Sequence, residues 1–198
     1  RNTYWIQISE TSSFSVKERY QSKVQLFHGS SNSGIAIPTL MDNLEESFIK
    51  LSSSPNDTTL QQDVVNSANI LASKFNEFAD FLADMRNEIQ DEMSSDVDSI
   101  NQLLETIAKL NRSIKYAISN NQSTAELEDS RDQAVSQLSS FLSVSHFTRD
   151  DGTLVVQTKG GSILAAETAQ SLFFEPNLIT PISPPQSIYI NSSTGTDI

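Results

Sequence analysis

Between Pro55 and Gly152 the chain contains neither glycine nor proline. A stretch that long without a helix breaker leaves the backbone free to run as α-helix, provided its apolar residues recur with a helical period. They do. Val64, Ala68, Leu71, Phe75, Phe78, Leu82, Met85 and Ile89 alternate steps of four and three, a heptad-like seam along one side of a helix. Met93 and Val97 follow by steps of four, a stutter that locally unwinds left-handed supercoiling. The seam resumes at Ile100, Leu104, Ile107, Leu110, Ile114 and Ile118. The spacing predicts one helix from about Thr58 to about Ile118, roughly 90 Å long at 1.5 Å per residue.

The flanks supply its limits. Ser54-Pro55-Asn56-Asp57 offers a capping serine, a proline at the first helical position and an acid three residues after the cap. Asp57 also complements the positive helix N-terminus. At the other end, Ser119-Asn120-Asn121-Gln122 is a polar loop whose side chains compete for backbone hydrogen bonds. A second capping box, Ser123-Thr124-Ala125-Glu126, opens a helix with Leu127, Val135, Leu138 and Leu142 on one face. The short loop implies that this helix folds back antiparallel on the long one. Upstream, Pro38-Thr39 with Asp42 opens a helix over about 40–53, with Leu40, Leu44, Phe48 and Leu51 inward. Val16, Tyr20, Val24 and Phe27 predict a helix ending near Gly29, and residues 29–37 read as a flexible connector. Residues 1–14 are ambiguous, with Trp5 and Ile8 as anchors.

The period changes after Leu142. Val144 to Thr148 and Leu154 to Thr158 flank Asp150-Asp151-Gly152, the pattern of a β-hairpin. Gly160-Gly161 turns the chain again before a short strand at Ile163-Leu164. Four prolines between Pro176 and Pro185 mark a linker, and Ser187 to Asn191 reads as the first strand of a further β-rich domain. The expected division is a helical core domain with a terminal hairpin over 1–165, the hairpin part covering about 143–165, then a linker and the start of a β-rich second domain over 166–198. The fold class is mainly α, an elongated antiparallel bundle around one long helix with a small β-hairpin.

Composition excludes several kinds of chemistry. Of the 198 residues 37% are hydrophobic, fewer than in a typical globular domain, which favours a slender bundle over a thick globule. A net charge of -12 repels nucleic-acid phosphates and anionic lipid headgroups, so neither nucleic acid nor a membrane surface is an expected partner. There is no cysteine, hence no disulfide framework, thiolate nucleophile or thiolate metal site. No apolar run approaches the ~18 residues needed to span a bilayer. The chain begins at Arg1 without a methionine and is expected to be an excised segment of a longer protein.

Candidate catalytic and metal-binding residues are scarce. His28 and His146 are far apart in sequence, and neither has a metal-ligand spacing, so both read as structural. Asp150-Asp151-Gly152 lacks the alternating acids and distal glutamate of a calcium loop. Asp91, Glu92, Asp96 and Asp98 read as a solvated helix face. The chain has neither a GxSxG elbow nor a phosphate-cradling glycine loop. Asn111-Arg112-Ser113, one of four Asn-X-Ser/Thr triplets, lies mid-helix and reads as a chance occurrence in a Ser/Asn-rich chain. No catalytic residue, metal or cofactor is implied.

Four stretches nevertheless carry a family resemblance. They are Leu51 to Asp57 with Val64-Val65 and Ala68 to Asn76; Ile100 to Leu104 with Ile107 to Asn111; Leu127 to Gln133 with Leu138-Ser139; and Val144 to Val156 with Gly160-Gly161. In order and spacing they resemble the middle of the flagellar hook-associated protein 1 family, the hook-filament junction proteins. Glu128 and Ser130 depart from the family's pattern around the Arg131-Asp132 pair.

The resemblance implies a structural component of the bacterial flagellum, exported by the flagellar secretion apparatus and joining hook to filament outside the cell. It implies as partners the hook protein, a second hook-associated junction protein and further copies of the chain itself. An export chaperone would bind a terminal segment that this chain does not contain. The heptad-rich terminal polymerisation segments are also missing from it, so the chain alone is expected to be monomeric. Arg131, Asp132, Asp129, Ser54, Asp57 and Gly152 are candidates for fixing the fold, with the Arg131 stem along the seam and its guanidinium paired locally or across to the long helix. Two other classes stay open: a helical adaptor or ligand-sensing bundle of a bacterial receptor, and an enzyme on a helical scaffold. The first needs flanking transmembrane helices. The second needs a pocket with convergent polar groups, for which the sequence offers no candidate.

Overall fold

A computed structural model describes residues 2–29, 35–177, 186–191 and 196–197. Four helices run over Asn2–His28 (α1), Ile37–Ser53 (α2), Thr58–Ser119 (α3) and Ala125–Phe141 (α4). Strands follow at Val144–Thr148 (β1), Leu154–Thr158 (β2), Ile163–Ala165 (β3), Leu172–Phe173 (β4), Tyr189–Ile190 (β5) and Thr196–Asp197 (β6). They form two antiparallel three-stranded sheets, ordered β1-β2-β3 and β4-β5-β6. The mainly α class, the long helix and the hairpin match the expectations from sequence. Most of the proline-rich linker and most of the connector at 29–37 lie outside the described residues.

The chain divides into two compact units, and α1 and α3 each contribute to both. The first takes the start of α1, the second half of α3 from Glu88, α4 and the strands; the second takes Lys17–Asn87. In the first unit Val97, Ile100, Leu104 and Ile107 of α3 meet Ala134, Val135 and Leu138 of α4, Leu154 and Val156 of β2, and Trp5 of α1 in one buried cluster. Leu172 of β4 and Ile190 of β5 belong to the same cluster. Trp5 is buried and Ile8 half-buried against this core, which makes a helix of the ambiguous N-terminal stretch. In the second unit Phe27 stacks on Phe78 and Phe81 at centroid distances of 5.2 and 4.6 Å, with Lys74 Nζ 4.3 Å from the Phe27 ring centre.

Several local expectations change. Asp57, not Ser54, caps α3: its Oδ1 accepts the Thr59 and Leu60 N–H groups at 2.8 and 3.3 Å. Ser54 instead ends α2, with its N–H on Leu51 O, and its carbonyl accepts the Asp57 N–H, so Pro55 lies in the turn between the helices. The far end of α3 is a defined cap and not a loose polar loop. Gln122 N–H reaches Ala117 O, Asn121 N–H reaches Ile118 O, and Asn121 takes φ +52°, a Schellman motif with asparagine in the usual glycine place. Thr124 precedes α4 without capping it; its hydroxyl meets Glu128 Oε1 at 2.6 Å in place of the expected box. On α2, Ser47 is buried where Phe48 was expected, and Phe48 is exposed. Ser47 tolerates that position because its hydroxyl donates to Leu44 O. Val16, expected inward, is also exposed.

Candidate functional site

The most structured polar chemistry of the chain lies along the second half of α3, on residues that periodicity alone does not mark. Asn111 sits four residues after Ile107 and three before Ile114, a core position on the seam, and is fully buried. Its neighbour Leu110, expected there, is only half-buried, and Ile118 is exposed. The Asn111 carboxamide meets Leu154 of β2 as a neighbouring strand would: Nδ2 donates to Leu154 O at 2.8 Å, and Oδ1 accepts Leu154 N–H at 3.0 Å. The second Nδ2 proton goes to Ala166 O at 2.6 Å, and the second lone pair of Oδ1 accepts from Arg131 Nη1 at 3.0 Å. All four hydrogen-bonding positions of the amide are filled.

The same device recurs twice on α3. Asn101 donates to Leu172 O at 2.9 Å and accepts Leu172 N–H at 2.7 Å. Gln90 donates to Asn177 O at 2.8 Å and accepts Asn177 N–H at 2.7 Å. Three side-chain amides thus form a ladder, each rung holding both main-chain groups of one residue downstream of α4. A hydrophobic face alone would let those segments slide. A planar amide paired to one residue fixes the register at that residue.

Of the fold-fixing candidates, the structure brings Arg131 and Gly152 together. Arg131 is buried on α4, and its Nη1 donates to Gly152 O at 2.8 Å as well as to Asn111. Burial pushes its pKa down, while the charges of Asp132 and Glu128 oppose that shift. Asp132 is half-buried one residue further on, and Asp129 is exposed. Ser54, which ends α2, and Asp57, which caps α3, lie in the other unit.

Gly152 ends the three-residue loop Asp150-Asp151-Gly152 with φ +81°. A Cβ there would stand 2.6 Å from Ile118 Cδ1 and 3.3 Å from Ile114 Cγ2, so any other residue would have to push the Ile118 side chain aside as well as adopt a left-handed backbone. Asp151 Oδ1 accepts Thr153 N–H at 3.0 Å, and that bond, assisted by Lys115, lowers the Asp151 pKa to about 2. Lys115 also pairs with Glu167, and Arg112 Nη1 donates to Glu167 O at 2.7 Å, closing the outer side of the rung.

The two histidines pack on aromatic rings: His28 on Phe78 at 4.8 Å, and His146 edge-on to Trp5 at 4.3 Å. Among the described residues no group of three or more His, Cys, Asp or Glu could hold a metal ion, and no helix is long and apolar enough to cross a membrane. An apolar groove lies along Tyr20, Val24, His28 and Met85 in the second unit.

The comparisons with known proteins agree with one another. Residues 22–196 match the family model described as the flagellar hook-associated protein FlgK helical domain. The chain is 26% identical over 196 residues to flagellar hook-associated protein 1 of Escherichia coli strain K12, covering 98% of this chain and 36% of that protein. It is 27% identical over 149 residues to flagellar hook-associated protein 1 of Salmonella typhimurium, covering 72% of this chain and 27% of that one. The structure of the flagellar hook junction protein FlgK from Burkholderia pseudomallei superposes with a TM-score of 0.78 at 25% identity, over 96% of this chain and 33% of that one. The chain therefore spans about a third of the length of the relatives it matches.

Proposed function

The chain belongs to the family of the flagellar hook-associated protein FlgK helical domain, and from that premise we propose that it is the mechanical core of a junction protein joining hook to filament in the bacterial flagellum. The match over residues 22–196, with the same fold in a hook junction protein at a TM-score of 0.78, is the observation that carries this reading. In it the protein works outside the cell after export, and its task is load-bearing, without a catalytic step. Its partners are the hook protein, a second hook-associated junction protein and copies of itself, while an export chaperone binds a segment outside this chain. The 198-residue chain by itself is monomeric.

Register-fixing contacts suit such a part. A subunit under torque has to keep its own β segments in place on its long helix, and the ladder does this by directed bonds where a purely apolar face would yield by sliding. Arg131 and Gly152 are fold-fixing residues at the Asn111 rung. Asp57 and Ser54 fix the turn into α3, and Asp132, together with Glu128, balances the charge of Arg131. A domain boundary near residue 165 is part of the proposal and is open to limited proteolysis. Leu172 and Ile190 share the helical core, which weighs against that boundary; a folded product ending near residue 165 would support it, and a product that keeps these residues would reject it.

The functional test is deletion of the parent gene, followed by electron microscopy of the cells and an assay of flagellin in the medium. Bare hooks with flagellin shed as monomer are the expected result. Normal filaments and normal swimming would reject the junction role and return attention to a receptor adaptor bundle.

A further inference from the structure

The three rungs are unequal. Asn111 is fully buried, carries four bonds, and holds a β2 strand that is paired on both sides, with five residue pairs to β1 alone. Asn101 is half-buried with two bonds and holds β4, a strand of two residues whose ladder to β5 is Leu172 with Ile190 and Phe173 with Tyr189. Gln90 also has two bonds, and its partner Asn177 is exposed. A two-residue ladder does not hold itself together in water. The attachment of β4 and its partner β5 therefore rests on the buried Leu172 and Ile190 side chains, on Phe174 and Ile188 packed beside them, and on the Asn101 and Gln90 carboxamides.

We propose that residues 171–177, together with the β5 strand paired to them, form a detachable strap that opens as one unit while α3, α4 and β1–β3 stay folded. The inference concerns this chain's own mechanics and stands whether or not the junction role holds. The strap has its own internal bonds, among them Asn191 N–H to Ser171 O at 2.7 Å, and its two rungs lie on the same helix, so loss of one lowers the cost of losing the other. The Asn111 rung does not open in the same way, because its release would leave both main-chain groups of buried Leu154 and the half-buried Ala166 O without their partner, and buried Arg131 Nη1 with Gly152 O alone.

Native-state hydrogen exchange on the full 198-residue chain tests this. In the unmodified protein under rising sub-denaturing urea, the Asn191 and Asn177 amides should exchange through an opening distinct from, and at least tenfold more frequent than, the one that exposes Leu154. In Asn101→Ala, those two amides keep their own acceptors, yet should exchange roughly ten- to a hundredfold faster, matching the loss of two hydrogen bonds, with Leu154 and Val156 unchanged. Gln90→Ala should likewise accelerate Leu172 and Asn191, which Gln90 does not touch. Acceleration of Leu154 by the same factor would show that the strap is no separate unit. Unchanged Asn191 in both variants would show that the rungs do not act together. Either result overturns the proposal, and the urea series on the unmodified chain decides the matter if a variant fails to fold.

Discussion

The two halves of α3 differ in an instructive way. Residues 58–87 carry the regular heptad-like seam, yet no side chain of that half is fully buried; Val64, Leu71, Phe78, Leu82 and Met85 are half-covered, and Phe75 is 48% exposed. Residues 88–119 carry the stutter and three amides at or beside core positions, and every buried residue of the helix lies there, from Gln90 to Ala117. Regular periodicity tells which side of a helix is apolar; it does not tell how completely that side is covered. Coverage is greatest where polar groups interrupt the pattern, because those groups bind the segments that do the covering.

The sharpest way to break that contrast is to remove a polar residue from the well-covered half. Asn111→Ala strands the buried Leu154 main chain, frees Ala166 O and takes one of two acceptors from Arg131 Nη1, and should cost about 3–5 kcal/mol in urea unfolding, whereas Phe75→Ala in the open half should cost about 1 kcal/mol or less. Comparable losses would mean that the amides are incidental. Gly152→Ala forces a side chain into a left-handed backbone and against Ile118, and should lose about 1–3 kcal/mol in the same assay. Asp57→Ala should lose about 1 kcal/mol, with faster amide exchange confined to the first turn of α3. No change there would leave the cap without energetic weight.

The smallest effect is a pH dependence in the covered half. Burial lowers the His146 pKa; Asp132 opposes the shift and Arg131 adds to it. An unfolded histidine titrates near 6.5, so below that pH the unfolded chain binds the additional proton. Stability is therefore complete above about pH 6.5, falls as the pH drops toward the lowered folded value, and levels off beneath it. Trp5, the one tryptophan of the chain, lies on His146 and reports the transition by fluorescence, and His146→Gln should flatten that segment of the profile.

Much of this architecture was legible in the residues. The absence of breakers after Pro55 foretold α3, and Asp150-Asp151-Gly152 between Val144–Thr148 and Leu154–Thr158 foretold the hairpin and its two strand spans. The helix over the first fourteen residues was not legible, because its cause is tertiary: Trp5 seats in a core made by residues more than ninety positions away. Phe48 was misplaced because α2 turns Ser47 inward, and a serine that satisfies its own hydroxyl within the helix gives no apolar signal. Gln90, Asn101 and Asn111 were missed for a related reason. A lone asparagine on a seam looks like an interruption, and only its spacing from Ile107 and Ile114 hinted otherwise. Arg131 was singled out for reaching the long helix, but the asparagine that receives it there was not.

Because each rung pairs its amide with the main chain of the residue it holds, that pairing has only one side chain that can mutate; the Arg131 bond to Asn111 is the exception. Substituting Leu154, Leu172 or Asn177 by any residue but proline leaves the bonded atoms in place, so no compensating exchange at the helix is called for. Statistical coupling between alignment columns would therefore pass over these contacts, however much they weigh. An engineer could recompose the held segments almost freely, subject to filling the Leu154 and Leu172 cavities, but would have to keep three amides.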